Sequence, residues 1–342
     1  MMMLFVTAAA CSGGQDSATE PPVVRLMTHD SFDISAELLA NFERETGIRV
    51  QVFKAGDGGE MLNKAILAKD VPLADVMFGL DNTFLTRALE NNIFLPYQSP
   101  ILVDIDEVLK LDEEFRVSPV DYGDICLNYD VNWFNERQLA PPDDLADLVD
   151  PAYAGLTVVE NAATSTPGLG FLLVTIESFG EDGYLDYWRQ LVENDVLVVD
   201  GWEQAYYSHF SAASEGDRPI VVSYASSPVA EVYFAENPPA EAPTAAVITD
   251  GACFRQIEFV GILRGTEVEA EARQVVDFIL GTAFQEDIPL KMFVFPANMT
   301  AQLPDVFQEY GKVSDAPAKM EPERIATNRE KWIQDWTEIV LR

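Results

Sequence analysis

Histidine is nearly absent from this chain. Only His29 and His209 occur, so a multi-histidine metal centre is excluded and histidine-based acid–base chemistry has few candidates. Cysteine is also sparse. Cys11, Cys126 and Cys253 form no CxxC pair, which removes zinc ribbons and thioredoxin-type redox motifs. Positive charge is the third shortage: 22 Lys and Arg face 57 Asp and Glu, for a net charge of −35. Such an excess repels phosphate backbones and anionic lipid headgroups, so nucleic-acid binding and polybasic membrane docking are excluded and cationic small molecules become the natural partners. Beyond the amino terminus no apolar run approaches the ~18 residues of a spanning helix.

What is present is globular. With 342 residues, 48% of them hydrophobic and 23% charged, the chain has material for about two domains. Met1 to Ala10 is a short apolar run with small residues before Cys11, followed by a polar stretch to Pro22. It reads as the end of a secretory signal, with Cys11 as the lipidated first residue and residues 12–22 as a tether, which places the remainder outside the cytoplasm.

From Val23 onward, strand and helix signals alternate. Val23 to Thr28 reads as a strand, Ile34 to Thr46 as a helix closed by Gly47, Arg49 to Phe53 as a strand, Glu60 to Ala68 as a helix, and Ala74 to Phe78 as a third strand. This is the pattern of βαβ units and a largely parallel sheet. The alternation restarts at Pro151. The helix Pro167 to Phe179 has Thr166 as its candidate cap and Gly180 as its stop, and a further helix is expected around Trp202 to Glu215. A late strand at Cys253 to Leu263 returns the chain to its first half. The α/β layout therefore has two lobes that the chain crosses more than once, with ligand sites in the crevice at strand carboxyl ends.

The candidate site residues sit at strand-to-helix junctions. Thr164, Ser165 and Thr166, with Gly168, form a donor cradle suited to phosphate or carboxylate. Ser226 and Ser227 repeat that arrangement after a strand that ends at Tyr224. Trp202 opens a helix after Gly201 and offers an indole N–H and a ring face. Asp57 lies in a glycine-rich loop, and Asp30 and Asp81 at strand ends, where each could accept hydrogen bonds, face a ligand cation or simply cap a helix.

Taken in order, MTHDSF at 27–32, LAKDVPLADVMFGLDNTFL at 67–85, TSTPGLGFLL at 164–173, GWEQAY at 201–206, VSYASSP at 222–228 and WIQDW at 332–336 resemble the thiamine-binding subunit of bacterial ABC importers across roughly residues 23–340. The resemblance implies a two-lobed α/β periplasmic-binding-protein-like fold of type II, hinged on crossover strands. Its segments would be residues 23–125 for lobe I, 126–253 for lobe II, 254–300 for the return to lobe I, and 301–342 for a C-terminal helical segment. It implies a non-enzymatic, monomeric carrier without cofactor that closes on thiamine or its mono- or diphosphate and delivers it to permease and ATPase subunits. The phosphate end would be held near Ser165 and Trp202, and the ring portion by Tyr224 and Asp57. Two positions depart from the family: His29 and its neighbour Ser31 lie in THDSF where relatives read TYDSF, and IPLKMFVFP puts Phe293 in the stacking role of a tryptophan. Aromatic faces attract the thiazolium cation with ~0.5–2 kcal/mol each.

In this layout Cys126 and Cys253 fall on strands that cross between the lobes side by side, and secretion permits a disulfide between them. Rival functions on the same fold are a ferric-ion or polyamine carrier, although Tyr224 is followed by Ala225 and not by a second tyrosine, and a secreted thiaminase-like enzyme with Cys126 as nucleophile.

Overall fold

The computed structural model describes residues 21–237 and 239–342. Cys11 and its proposed lipidation lie outside them. Eleven strands form one curled sheet: β1 (Val23–Thr28), β2 (Arg49–Lys54), β3 (Val76–Asp81), β4 (Phe94–Leu95), β5 (Ser118–Asp130), β6 (Thr157–Glu160), β7 (Leu197–Val199), β8 (Ile220–Tyr224), β9 (Thr244–Val247), β10 (Phe254–Leu263) and β11 (Phe295–Pro296). The main path runs β2-β1-β3-β10-β5-β8-β6-β7. In one half, β1 pairs in parallel with both β2 and β3; in the other, β6 pairs in parallel with both β7 and β8. Helices join these parallel neighbours, as βαβ geometry requires. β3 is buried along its whole length, which is why it reads as the unbroken run VMFGL and not as an alternating strand.

The halves are joined by the two longest strands, β5 and β10, which lie antiparallel to each other. β10 pairs with β5 over Phe254–Val260 and with β3 over Glu258–Ile262, while β5 pairs with β8 at Ile125–Tyr129. Each strand thus begins in one half and ends in the other, and the 125–126 division falls inside β5. The ladder is irregular between Glu258 and Phe259, a local bend placed at the junction of the halves. Cys126 and Cys253 are disulfide-bonded where the two strands run together. Both are fully buried, packed against Ala225.

The helical segment Thr166–Glu193 differs from the sequence reading at its start. Its cap position is Ser165, one residue before Thr166, while Gly180 (φ 71°, ψ 168°) leaves the helical conformation and separates two helices, as expected for a stop there. Leu169 donates its N–H to the Ser165 carbonyl, so the first turn forms from that residue. The helix expected through Glu215 is much shorter. Trp202–Gln204 is followed by one wide turn at Ala205–His209, after which Phe210 forms a bridge with Arg218 and the chain goes extended. The C-terminal helix Pro322–Val340 ties the halves together from outside: Trp336 meets Trp188 edge-on at 5.5 Å, and Arg329 lies 4.3 Å above the Phe84 ring.

Candidate functional site

A cavity of about 450 Å³ opens between the halves at the carboxyl ends of the parallel strands. That volume is within the range of small-molecule sites, about 300–1,000 Å³. His29, Asp30 and Ser31 reach it from the end of β1, Asp57 and Gly58 from the loop after β2, and Asp121, Gln256 and Glu258 from the crossover strands. The opposite wall carries Thr166, Trp202, Glu203, Tyr206, Tyr207 and Tyr224, and Phe293 closes the side.

The aromatic wall is rigidly built. Trp202 stacks on Tyr206 at 5.1 Å and 25°, and Tyr207 meets it edge-on at 5.4 Å. The indole N–H donates to Ser223 Oγ at 2.8 Å, so the donor of Trp202 is already engaged. Tyr224 packs against Gly123, where any Cβ would stand 2.9 Å from the ring; glycine is what lets the ring settle there. Its hydroxyl donates to Gln256 Oε1 at 2.7 Å. Phe293 has φ 57°, a left-handed conformation that a non-glycine residue adopts at a cost. The Ser226 hydroxyl holds it there by donating to the Phe293 carbonyl at 2.6 Å. Phe234, with its ring centre 5.5 Å away, supports the Phe293 ring.

The floor is a line of polar groups along β10. Gln256 Nε2 donates to Glu258 Oε1 at 3.0 Å, and His29 Nε2 lies 3.3 Å from Glu258 Oε2. The His29 ring occupies the space a side chain at Gly79 would need, since a Cβ there would lie 2.2 Å from Cδ2. Burial disfavours the His29 charge, yet the Glu258 carboxylate, its hydrogen bond and the Asp57 charge together hold the imidazole pKa above its usual 6.5. Burial, then the charge of Glu258 and the hydrogen bond to it, pushes Asp121 well above the carboxylate range. Asp57 is reachable from the cleft but surrounded by protein, and that confinement raises its pKa against the pull of the Gly58 N–H and the His29 charge.

Asp81 is buried beneath Gly58, and desolvation lifts its pKa to about 6 although Thr83 and Thr166 hydrogen-bond to it. A raised carboxyl pKa favours the fold most below the unfolded value of 3.8, and that advantage is lost as pH rises to about 6. Asp81→Asn keeps the Oδ1 acceptor for Thr83 and gives Thr166 Oγ1 a donor. It is expected to match wild type below pH ~4 and to exceed it by up to about 3 kcal/mol above pH ~6. Thermal midpoints of both proteins across this range check it; a pH-independent difference refutes it.

Of the residues singled out in the sequence, the cavity wall brings together His29, Asp30, Ser31, Asp57, Thr166, Trp202, Tyr224, Ser227 and Phe293. Four others stand elsewhere. Asp81 is below the floor. Thr164 turns outward and donates to the Asp200 carbonyl at 2.7 Å. Ser165 is buried behind the wall with its hydroxyl unpaired, and Ser226 supports Phe293 from behind. Ser226 holds the cap position of the following helix without a side-chain cap bond, its hydroxyl going to Phe293, and Ser227 Oγ is engaged by Ser223 Oγ at 2.8 Å. Sequence reasoning passed over Asp121, Glu203, Gln256 and Glu258. A signal existed for Asp121 and Glu258: each is an acidic residue within a buried strand, where an uncompensated charge is costly.

Known proteins resemble this chain in sequence and in shape. The chain is 28% identical over 345 residues to a thiamine-binding periplasmic protein of Brucella suis biovar 1 (strain 1330), covering 98% of this chain and 97% of that one. It is 28% identical over 326 residues to a protein of the same name from Escherichia coli (strain K12), covering 94% of each. A solved structure described as a periplasmic thiamin binding protein superposes with a TM-score of 0.82 at 25% identity, over 94% of this chain and 97% of that one. These names describe periplasmic binding proteins. Residues 71–314 match the family described as bacterial extracellular solute-binding protein, and the chain belongs to that family.

Proposed function

We propose that the protein captures thiamine outside the cytoplasm, as a monomer and without chemical change, and delivers it to the permease and ATPase subunits of an ABC importer. The observation that carries this reading is a single cavity pairing the rings of Trp202, Tyr224 and Phe293 with the acidic side chains of Asp57 and Glu258. Flat apolar faces suit the two rings of the vitamin, and aromatic faces and carboxylates both attract its fixed positive charge. The names of the relatives point to the same ligand.

Two rival readings find less support. A ferric carrier needs phenolate ligands, but burial and the neighbouring carboxylates raise Tyr224 and Tyr206 well above the usual tyrosine range, and both hydroxyls already donate, to Gln256 and Glu231. A thiaminase-like enzyme needs a free thiol at Cys126, which is bonded to Cys253. No helix among the described residues is long and apolar enough to cross a membrane.

Calorimetry on protein stripped of any co-purified ligand tests the proposal. Thiamine is expected to bind one to one and to be recovered intact after incubation with an added nucleophile. Heat with ferric ion or a polyamine and none with thiamine overturns it.

A further inference from the structure

Granting the thiamine reading, we infer that the cavity takes up its cation in exchange for a proton, given up to solvent by the cluster of His29, Glu258 and Asp121 on its floor. Three chain segments build this cluster. His29 follows β1 and Glu258 lies on β10, and their side chains stand 3.3 Å apart while only 12% and 13% exposed. Asp121 is directly across from Glu258 in the β5–β10 ladder, beside the irregularity at the junction of the halves. Like charges placed opposite each other on paired strands are unfavourable. Asp121 Oδ2 is moreover buried without a hydrogen-bond partner, which disfavours its ionised form.

The surrounding charges favour holding a proton here, with one exception. Asp57 faces His29 from the loop after β2, and Asp81 stands opposite Glu258 in the pairing of β3 with β10. From β3, Phe78 and Gly79 meet His29 without bringing charge. Across the cleft Tyr224 is neutral and donates to Gln256. Lys54 is the exception, and it lies outside the wall, donating to the Asp30 carbonyl at 2.8 Å. Among the described residues the wall itself contains no lysine or arginine. A protonated His29 is thus the one cation on the wall that can answer Glu258, and the raised pKa values of His29 and Asp121 agree with that role.

The thiazolium charge is fixed and competes with the proton for the same carboxylates. Placed in this confined, weakly screened space, it lowers the proton affinity of every group around it. Binding therefore drives the cluster toward its deprotonated form, and by linkage affinity rises with pH wherever the ligand-free cluster would keep its proton. The three groups titrate together, so the proton belongs to the cluster and not to a single atom.

Calorimetry with thiamine in two buffers of unlike ionisation heat counts the exchanged protons on the unmodified protein. Between pH ~6 and ~7 each bound thiamine is expected to release ~0.5 proton or more, with affinity rising about 3-fold or more over that unit. His29→Gln keeps an N–H donor for Glu258 but cannot titrate, and is expected to release fewer protons and to show a flatter pH profile. Titration of the ligand's own pyrimidine is common to both proteins, so the difference between them belongs to His29. Binding without proton release, or affinity that is constant or falls as pH rises, overturns the exchange and leaves the thiamine reading standing. Release unchanged in a His29→Gln protein that binds thiamine overturns the part given to His29. Absence of thiamine binding at every pH refutes the thiamine reading itself.

Discussion

Replacing Cys126 and Cys253 together by alanine is expected to lower stability by about 4–5 kcal/mol, the cost of releasing a loop of this length in the unfolded chain. The bonded residues are 127 apart in sequence, so the cross-link removes a large share of unfolded-state freedom. For a protein of this size the thermal midpoint is expected to fall by roughly 5–10 °C. The bond ties β5 to the residue preceding β10, the strands on which the two halves are hung. It lies outside the cavity wall, so the variant is expected to keep its ligand affinity at low temperature. Unfolding curves of wild type with and without reductant, beside the double variant, separate the effects. Equal midpoints in all three refute the stabilising role, and lost binding in a folded variant means the bond also shapes the cleft.

How much of this was legible in the sequence depended on how local the cause was. The alternation of β1, β2 and β3 with their helices follows from apolar periodicity and from the glycine after Thr46, which takes φ 74° and closes the first helix. The ring-bearing positions Trp202 and Tyr224 could be placed because each stands next to a strand or helix end, whereas Phe293 was placed only by the family resemblance. The stretch from Thr164 to Thr166 shows the limit. Hydroxyls before a helix announce an anion cradle, and nothing in their spacing tells that Asp81, far earlier in the chain, takes the Thr166 hydroxyl. Glu258 was missed for a similar reason. In the run FRQIEFVGIL it looks like one polar residue on a strand, and only the pairing of β10 with β3 brings it to His29. The short helix at Trp202 was overextended because its stop is the bridge between Phe210 and Arg218, again a contact made elsewhere.

The ring of Tyr224, and not its hydroxyl, is expected to account for most of what this residue contributes to binding. Tyr224→Ala removes a face that a bound cation would lie against and leaves the buried Gln256 carbonyl oxygen without the donor it now has at 2.7 Å. A cation–π contact in a desolvated site is worth ~2 kcal/mol and a net hydrogen bond ~1 kcal/mol, so thiamine affinity is expected to drop by roughly 100-fold. Tyr224→Phe keeps the ring over Gly123 and forfeits only the hydrogen bond, for an expected loss of about 5-fold. Both variants are read by calorimetry after their thermal midpoints show that they fold. If phenylalanine loses as much as alanine, the hydroxyl and its link through Gln256 to Glu258 govern recognition. If neither loses affinity, Tyr224 faces no ligand, and the pairing of ring faces with carboxylates does not explain why a cation would be held here.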